Sequence, residues 1–224
     1  MSTAPQVPSA ASPSTTTTSP TATAIPTGVA SQLFSNQPPP AIVAHTYTFP
    51  PTLEQYNKPL NEIILANAPR DTIGVGAYVF KGDSGSPDRQ LLLIRRSANE
   101  TAFPEMYEVP GGGAEAPPID ATLLDSVARE LFEETGLVAK NIVRLIDHVD
   151  FEGRRGDKWR KFNFEIEVES AAEVVLQPAE HDEFMWVTFM EFKQQMEIGE
   201  EGWLWKTMPA QKGTIQIAFE TAAA

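Results

Sequence analysis

An α/β fold is what this sequence predicts, and three observations predict it. Short apolar runs at 72–80 and 90–94 are separated by Gly82, Gly85 and Pro87, the pattern of two strands joined by a turn. Residues 106–135 read as a short strand, a glycine-rich loop (Pro110-Gly111-Gly112-Gly113) and an amphipathic helix. Further on, Phe162, Phe164, Ile166 and Val168 alternate with polar residues, the period of a strand with one buried face. Strands interleaved with helices, rather than segregated from them, make the class α/β.

In chain order, the first 45 residues are expected to be a disordered tail. No Asp, Glu, Lys or Arg precedes Glu54, and Ser, Thr, Pro and Ala dominate, with runs at Thr15–Thr18 and Pro38–Pro40. Such a composition cannot bury enough apolar surface to offset the entropy lost on ordering. The folded domain is therefore expected over 46–224, a length that suits one core. Residues 54–66 form a short amphipathic lead-in, followed by strands at Thr72–Phe80 and Gln90–Ile94, the second closed by Arg95 and Arg96. Met106–Val109 leads into the glycine loop, and a helix over 121–135 has Asp120 as its expected N-cap and Gly136 as its left-handed stop. Strands at 142–149, 159–168 and 184–188, a helix from Phe189 and a last helix over 209–221 complete the order, with no internal repeat.

The helix over 121–135 carries the chemistry. Glu130, Glu133 and Glu134 stand within five positions of its end. With Leu123 at zero, they fall at about 340°, 280° and 20°, beside an apolar arc of Leu123, Val127, Leu131 and Leu124 at about 0° to 100°. Glu130 and Glu134 are a like-charge i,i+4 pair near the negative end of the helix dipole, and both effects oppose the helix. A bound divalent cation would reverse the sign of each, because hard ions prefer carboxylate oxygens. Glycines upstream let backbone amides and carbonyls approach such an ion or its ligand.

Arg129-Glu130-Leu131-Phe132-Glu133-Glu134-Thr135-Gly136-Leu137 matches the second half of the Nudix box, and Pro110, Gly111, Gly112 and Glu115 resemble its first half. The chain thus resembles the Nudix hydrolases, which cleave a diphosphate linking a nucleoside to another group. It departs from the pattern by three residues inserted in the loop, so that the mid-box glutamate falls on Pro118, with Asp120 as a partial replacement. The resemblance implies a Nudix-type α/β/α sandwich with a mixed sheet between helices, and Mg²⁺ as cofactor, Mn²⁺ being an alternative. It assigns Glu130, Glu133 and Glu134 as ligands, Glu130 also serving the attacking water, together with a carbonyl near Gly111 or Gly112. Arg129 pairs with Glu133 at i,i+4 and orients it. A further acid is expected from the segment before the last strand, where Glu180 and Glu183 are equal candidates and His181 stands between them. Phosphate-binding groups are expected among Arg95 and Arg96, and among Arg154 and Arg155 in the basic cluster with Lys158, Arg160 and Lys161. The everyday reading of such a cluster is a solvated turn. Tyr107, Trp203 and Trp205 are aromatics that could stack on a base, though core packing is their commoner use.

Composition narrows the partners. With 17 Lys and Arg against 30 Asp and Glu, the net charge of −13 argues against a nucleic acid polymer or an anionic membrane. No stretch has the apolar length of a membrane helix, the basic start of a secretory signal or the arginines of a transit peptide. The absence of cysteine removes disulfide and thiol chemistry; it suits a cytoplasmic address and leaves a nuclear one open. It also argues against the third reading, a Nudix-fold isomerase of prenyl diphosphates, which uses a cysteine. The main reading is a metal-dependent nucleotide pyrophosphohydrolase with a small-molecule substrate; the alternative is an inactive Nudix module binding a nucleotide or a protein. Oligomeric state is open.

Overall fold

The structure, a computed structural model, describes residues 46–153, 155–171, 173–198 and 206–221, and of Pro209 the backbone alone. The expected tail at 1–45, Arg154, Trp203 and Trp205 lie outside the described residues.

Six strands form one mixed sheet: β1 (Thr72–Lys81), β2 (Gln90–Arg96), β3 (Tyr107–Glu108), β4 (Ala139–Glu152), β5 (Lys158–Val168) and β6 (His181–Thr188). Strand β1 runs parallel to β5, while β2–β3, β2–β6 and β4–β5 are antiparallel. Strands β1 and β2 pair only beside their turn, at Phe80–Leu91 and Lys81–Gln90. Beyond it the chain at 107–114 takes their place, bonding β2 through β3 and then β1, where Val75 and Ala77 donate to the carbonyls of Gly112 and Pro110. The glycine loop is therefore held as part of the sheet.

Alternation along the strands sorts side chains into two cores. Ile73, Val75, Ala77, Val79, Leu92 and Ile94 pack with Leu123, Leu124, Val127, Ala128 and Leu131 of α2 (Leu123–Thr135). On the opposite face Tyr78, Leu91, Leu93 and Val187 pack with Phe192 of α3 (Phe189–Ile198) and with Ile215 and Ala218 of α4 (Pro209–Glu220). Helices on both faces of a mixed sheet give the expected α/β/α sandwich. The lead-in divides into a 3₁₀ turn at Pro51–Tyr56 and a short helix, α1 (Leu60–Ala66), with Tyr56 against Phe162 and Phe164. Strands β4 and β6 are longer than expected, at 139–152 and 181–188, because polar residues continue their ladders beyond the apolar runs. Among the described residues, no helix is long and apolar enough to cross a membrane.

Candidate active site

Helix α2 begins two residues later than its pattern suggests. Its N-cap is Thr122, in a capping box with Asp125, whose carboxylate also accepts from the Tyr47 hydroxyl at 2.7 Å. Asp120, the expected cap, has a different task. It is fully buried, accepts from the Glu115 amide at 2.7 Å, and receives Arg129 in a two-pronged pair at 2.8 and 2.9 Å. Burial alone would raise the Asp120 carboxyl, but Arg129 and the Glu115 amide outweigh it and hold the group below its ordinary value. The longer loop thus returns an acid to Arg129 from a new position.

Arg129 is the hub of this end of the site. Besides Asp120 it reaches Glu133 at 2.8 Å, as its i,i+4 spacing predicts, Glu130 at 2.9 Å and the Gly113 carbonyl at 3.2 Å. One planar guanidinium can serve several acceptors because its donors fan out in a fixed fork.

The three glutamates differ in environment. Glu133 is 57% exposed, Glu130 is 12% exposed and Glu134 is buried. Glu130 lies so close over the loop that a β-carbon on Gly112 would come within 2.6 Å of its carboxylate. Gly111 is equally constrained, with φ 151° and the Val75 carbonyl 2.1 Å from where a β-carbon would be. Its amide donates to Glu134 at 2.7 Å. Burial raises the Glu130 carboxyl to about 7, Arg129 opposing and Glu133 and Asp120 adding to the rise. Burial and the charge of Glu108 push Glu134 well above the carboxylate range, against the pull of the Gly111 amide.

Glu108, which the sequence reading did not single out, is buried beside them. Arg96 holds it at 2.6 Å and the Nε2 of His181 lies 3.4 Å away. Burial works against its charge, yet His181, Lys161 and Arg96 prevail and keep its carboxyl below the ordinary value. A clue was present: Glu108 is a charged residue in the short strand directly ahead of the glycine loop.

His181 also differs from expectation. It belongs to β6, is 1% exposed, and reaches the α2 face because the β2–β6 register slips at Arg95/Arg96, leaving Asp182 as the extra residue. Without that bulge His181 would share a face with Glu183, Met185 and Val187. Between the two late acids the structure therefore distinguishes. Glu134, Glu180 and His181 each bring a ligand atom within 4.8 Å of the others, an arrangement that fits a divalent cation. Glu183 is instead half exposed on the other side, paired at 2.7 Å with Arg95, which also holds Asp182 at 2.8 Å. Arg95 and Glu183 satisfy each other there, apart from the Glu134 cluster, whereas Arg96 joins it through Glu108.

A cavity of about 680 Å³ opens from the glycine loop. Gly111, Gly112 and Glu108 form its acidic end, Arg96, Arg155 and Lys161 supply positive charge, and Phe103, Phe151 and Trp159 supply apolar wall. Phe151 and Trp159 stack at 15°. Of the basic cluster, Arg155 and Lys161 reach this cavity, while Arg160 is occupied by Asp150 at 2.7 Å and Asn67 at 2.9 Å. Tyr107 is buried in the second core, not on the cavity wall.

A family model for the NUDIX domain matches residues 70–209. This chain belongs to the Nudix family. Among solved structures, the MutT protein of Methanosarcina mazei Go1 shares 25% identity with this Nudix chain, with a TM-score of 0.51 over 66% of it and 92% of the relative. The NUDIX domain of Shewanella oneidensis NrtR, solved with ADP ribose, has 21% identity and a TM-score of 0.51, covering 71% and 96%. A NUDIX hydrolase of Alicyclobacillus acidocaldarius has 16% identity and a TM-score of 0.52, covering 70% and 99%. Both confirm the fold. One curated relative, the m7GpppN-mRNA hydrolase NUDT17 of Danio rerio, is 46% identical over 52 residues, 23% of this chain but 16% of that protein. Hydrolysis of phosphorus-containing anhydrides is the activity that membership of this family supports.

The raised Glu130 carboxyl has a measurable consequence. A carboxyl whose folded value exceeds its unfolded one favours folding while protonated; that contribution is complete below 4.5 and is lost as pH rises through about 7. With chelator present, the melting temperature should therefore fall between pH 5 and pH 8, the Glu130 share being roughly 3 kcal/mol at most. Glu134 acts in the same direction. Glu130→Gln should flatten this profile, which thermal melts across the range would check; an unchanged slope would remove Glu130 as its source.

Proposed function

We propose that this Nudix domain is a divalent-cation-dependent pyrophosphohydrolase acting on a nucleoside diphosphate joined to a second group. The observation that carries this reading is the cavity, which joins the glycine loop beneath Glu130 and Glu134 to Arg96, Arg155 and Lys161 and to an aromatic wall. Glu130, Glu134 and Glu180 would hold the ion, with the Gly111 carbonyl as a neighbouring oxygen. When bound, the ion supplies charge neutralisation on the phosphate oxygens and acidifies water.

The protein's own groups do the rest. Lys161 and Arg155 draw the diphosphate toward the acidic end, where like charges alone would repel it. Glu130, held over the glycine loop and paired with Arg129, is placed to accept a proton from water. Arg129 fixes the direction of Glu130 and Glu133, and Asp120 fixes Arg129. Trp159, stiffened by its stacking on Phe151 and by its bond to Asp157, offers a face to a base. Trp159→Leu should accordingly raise KM about tenfold while leaving kcat nearly unchanged, since a base stack is worth on the order of 1–3 kcal/mol. An equal fall in kcat would argue that Trp159 instead supports the glycine loop.

The second reading is a Nudix module that binds without turnover, and the insertion in its box favours it. Release of phosphate-containing products decides between them, measured with Mg²⁺, Mn²⁺ or chelator. The panel comprises ADP-ribose, oxidised purine triphosphates, dinucleoside polyphosphates and, because of the fragmentary relative, capped dinucleotides. Metal-dependent cleavage of any member supports hydrolysis and names the class. Binding without cleavage throughout would transfer the domain to the second reading.

A further inference from the structure

Within the site just described, one buried polar atom has no structural use. The Nδ1 of His181, 1% exposed, has no hydrogen-bond partner, and the oxygen it faces, Oε1 of Glu134, stands 4.0 Å away, too far for a hydrogen bond. The other ring nitrogen faces the Glu108 carboxylate at 3.4 Å, and Glu108 is itself anchored by Arg96 at 2.6 Å. A carboxylate acceptor at Nε2 places the ring proton there and leaves a lone pair on Nδ1. That is the arrangement of a metal-binding histidine, whose second nitrogen donates to a carboxylate. Carboxylate oxygens of Glu134 and Glu180 lie within 4.8 Å of the same ring.

The position of each group is set by the backbone. The Glu180 carbonyl accepts from Ser97 at 2.8 Å and the His181 amide donates to Gln177 at 2.8 Å, so the start of β6 is tied on both sides. The bulge at Asp182 then turns His181, but not Glu183, toward Glu134. Oxygen-only sites suit Mg²⁺; adding an imidazole shifts preference along the series toward Mn²⁺, Co²⁺ and Zn²⁺.

We propose that His181, through Nδ1, joins Glu134 and Glu180 in a mixed nitrogen and oxygen site that selects a transition-metal dication over Mg²⁺. This deepens the hydrolase reading and rests on its assignment of Glu134 as a ligand. Mn²⁺ is the probe. Titrated into the full chain, it should bind at least about tenfold more tightly than Mg²⁺, and pulsed electron paramagnetic resonance of the bound ion should show coupling to a ¹⁴N nucleus. The chain has three histidines, so His181→Gln should abolish the coupling, while a His45→Gln, His148→Gln double variant should keep it. The double variant makes the assignment even where His181→Gln fails to fold. Glu180→Gln, at an exposed position, should weaken Mn²⁺ while retaining the nitrogen signal. Mn²⁺ bound without ¹⁴N coupling, or coupling lost in the double variant, would overturn the role of His181 and leave the hydrolase reading intact. Failure to bind either ion would overturn both.

Discussion

Glu134→Gln should lower kcat at least about a hundredfold, on the order of 2.7 kcal/mol of lost transition-state stabilisation. The same change should raise the melting temperature in chelator. Both effects follow from the position of Glu134, which is buried near Glu108, with the Gly111 amide as its hydrogen-bond donor. The charge is costly there without a cation, and a neutral amide keeps an oxygen for Gly111 while removing the repulsion. About 1–2 kcal/mol of relief corresponds to a shift of roughly 2–8 °C for a domain of this size. The gain should grow as pH rises, because burial and Glu108 favour the protonated wild-type carboxyl, a form that already resembles the amide. Turnover and melting curves measured side by side test this. Unchanged turnover would remove Glu134 from the catalytic set, and a lower melting temperature would show that its charge is otherwise compensated.

Arg129→Met should be among the most damaging single changes in the domain, at about 3–5 kcal/mol, because it strands Asp120 as a buried charge lacking its cation. Asp120 has no exposed surface and Arg129 is 12% exposed, so water cannot replace the lost pair. Glu130 and Glu133 lose a partner too, and kcat should fall with stability. The separating experiment is a double-mutant cycle. Adding Asp120→Asn to Arg129→Met should restore much of the melting temperature without restoring turnover, since the amide removes the stranded charge but leaves Glu130 unoriented. Arg129→Lys should recover only part of either, because a single ammonium cannot span carboxylates on several sides. If Arg129→Met melts like the wild type, the hub is an ordinary surface cluster.

The scaffold of this site is legible in the sequence. The order of strand, glycine loop and acidic helix is local information, carried by period and by residues with narrow conformational roles such as Gly111 and Gly136. The Arg129–Glu133 pair follows from helix spacing alone, and the carboxylate cluster at the helix end runs against helix propensity. Other features depend on distant parts of the chain. Asp120 reads as a helix cap because caps are judged from neighbouring residues; that Arg129 reaches back over nine positions to bury it emerges only from the closed loop. Glu180 and Glu183 are equivalent acids on paper. One bulge, which adds a residue to β6 against β2, sends His181 to the Glu134 face and leaves Glu183 with Arg95. A strand's period of two makes its faces depend on register, and register is settled by the partner strand rather than by the strand's own residues. Glu108, Lys161 and Trp159 reach the cavity by the same route, from strands that sequence pattern places in a sheet but cannot pair. Local period therefore specified the helix and its acids, and the box motif carried the family resemblance. Long-range pairing specified which acids meet, and with them the environment that sets their charge.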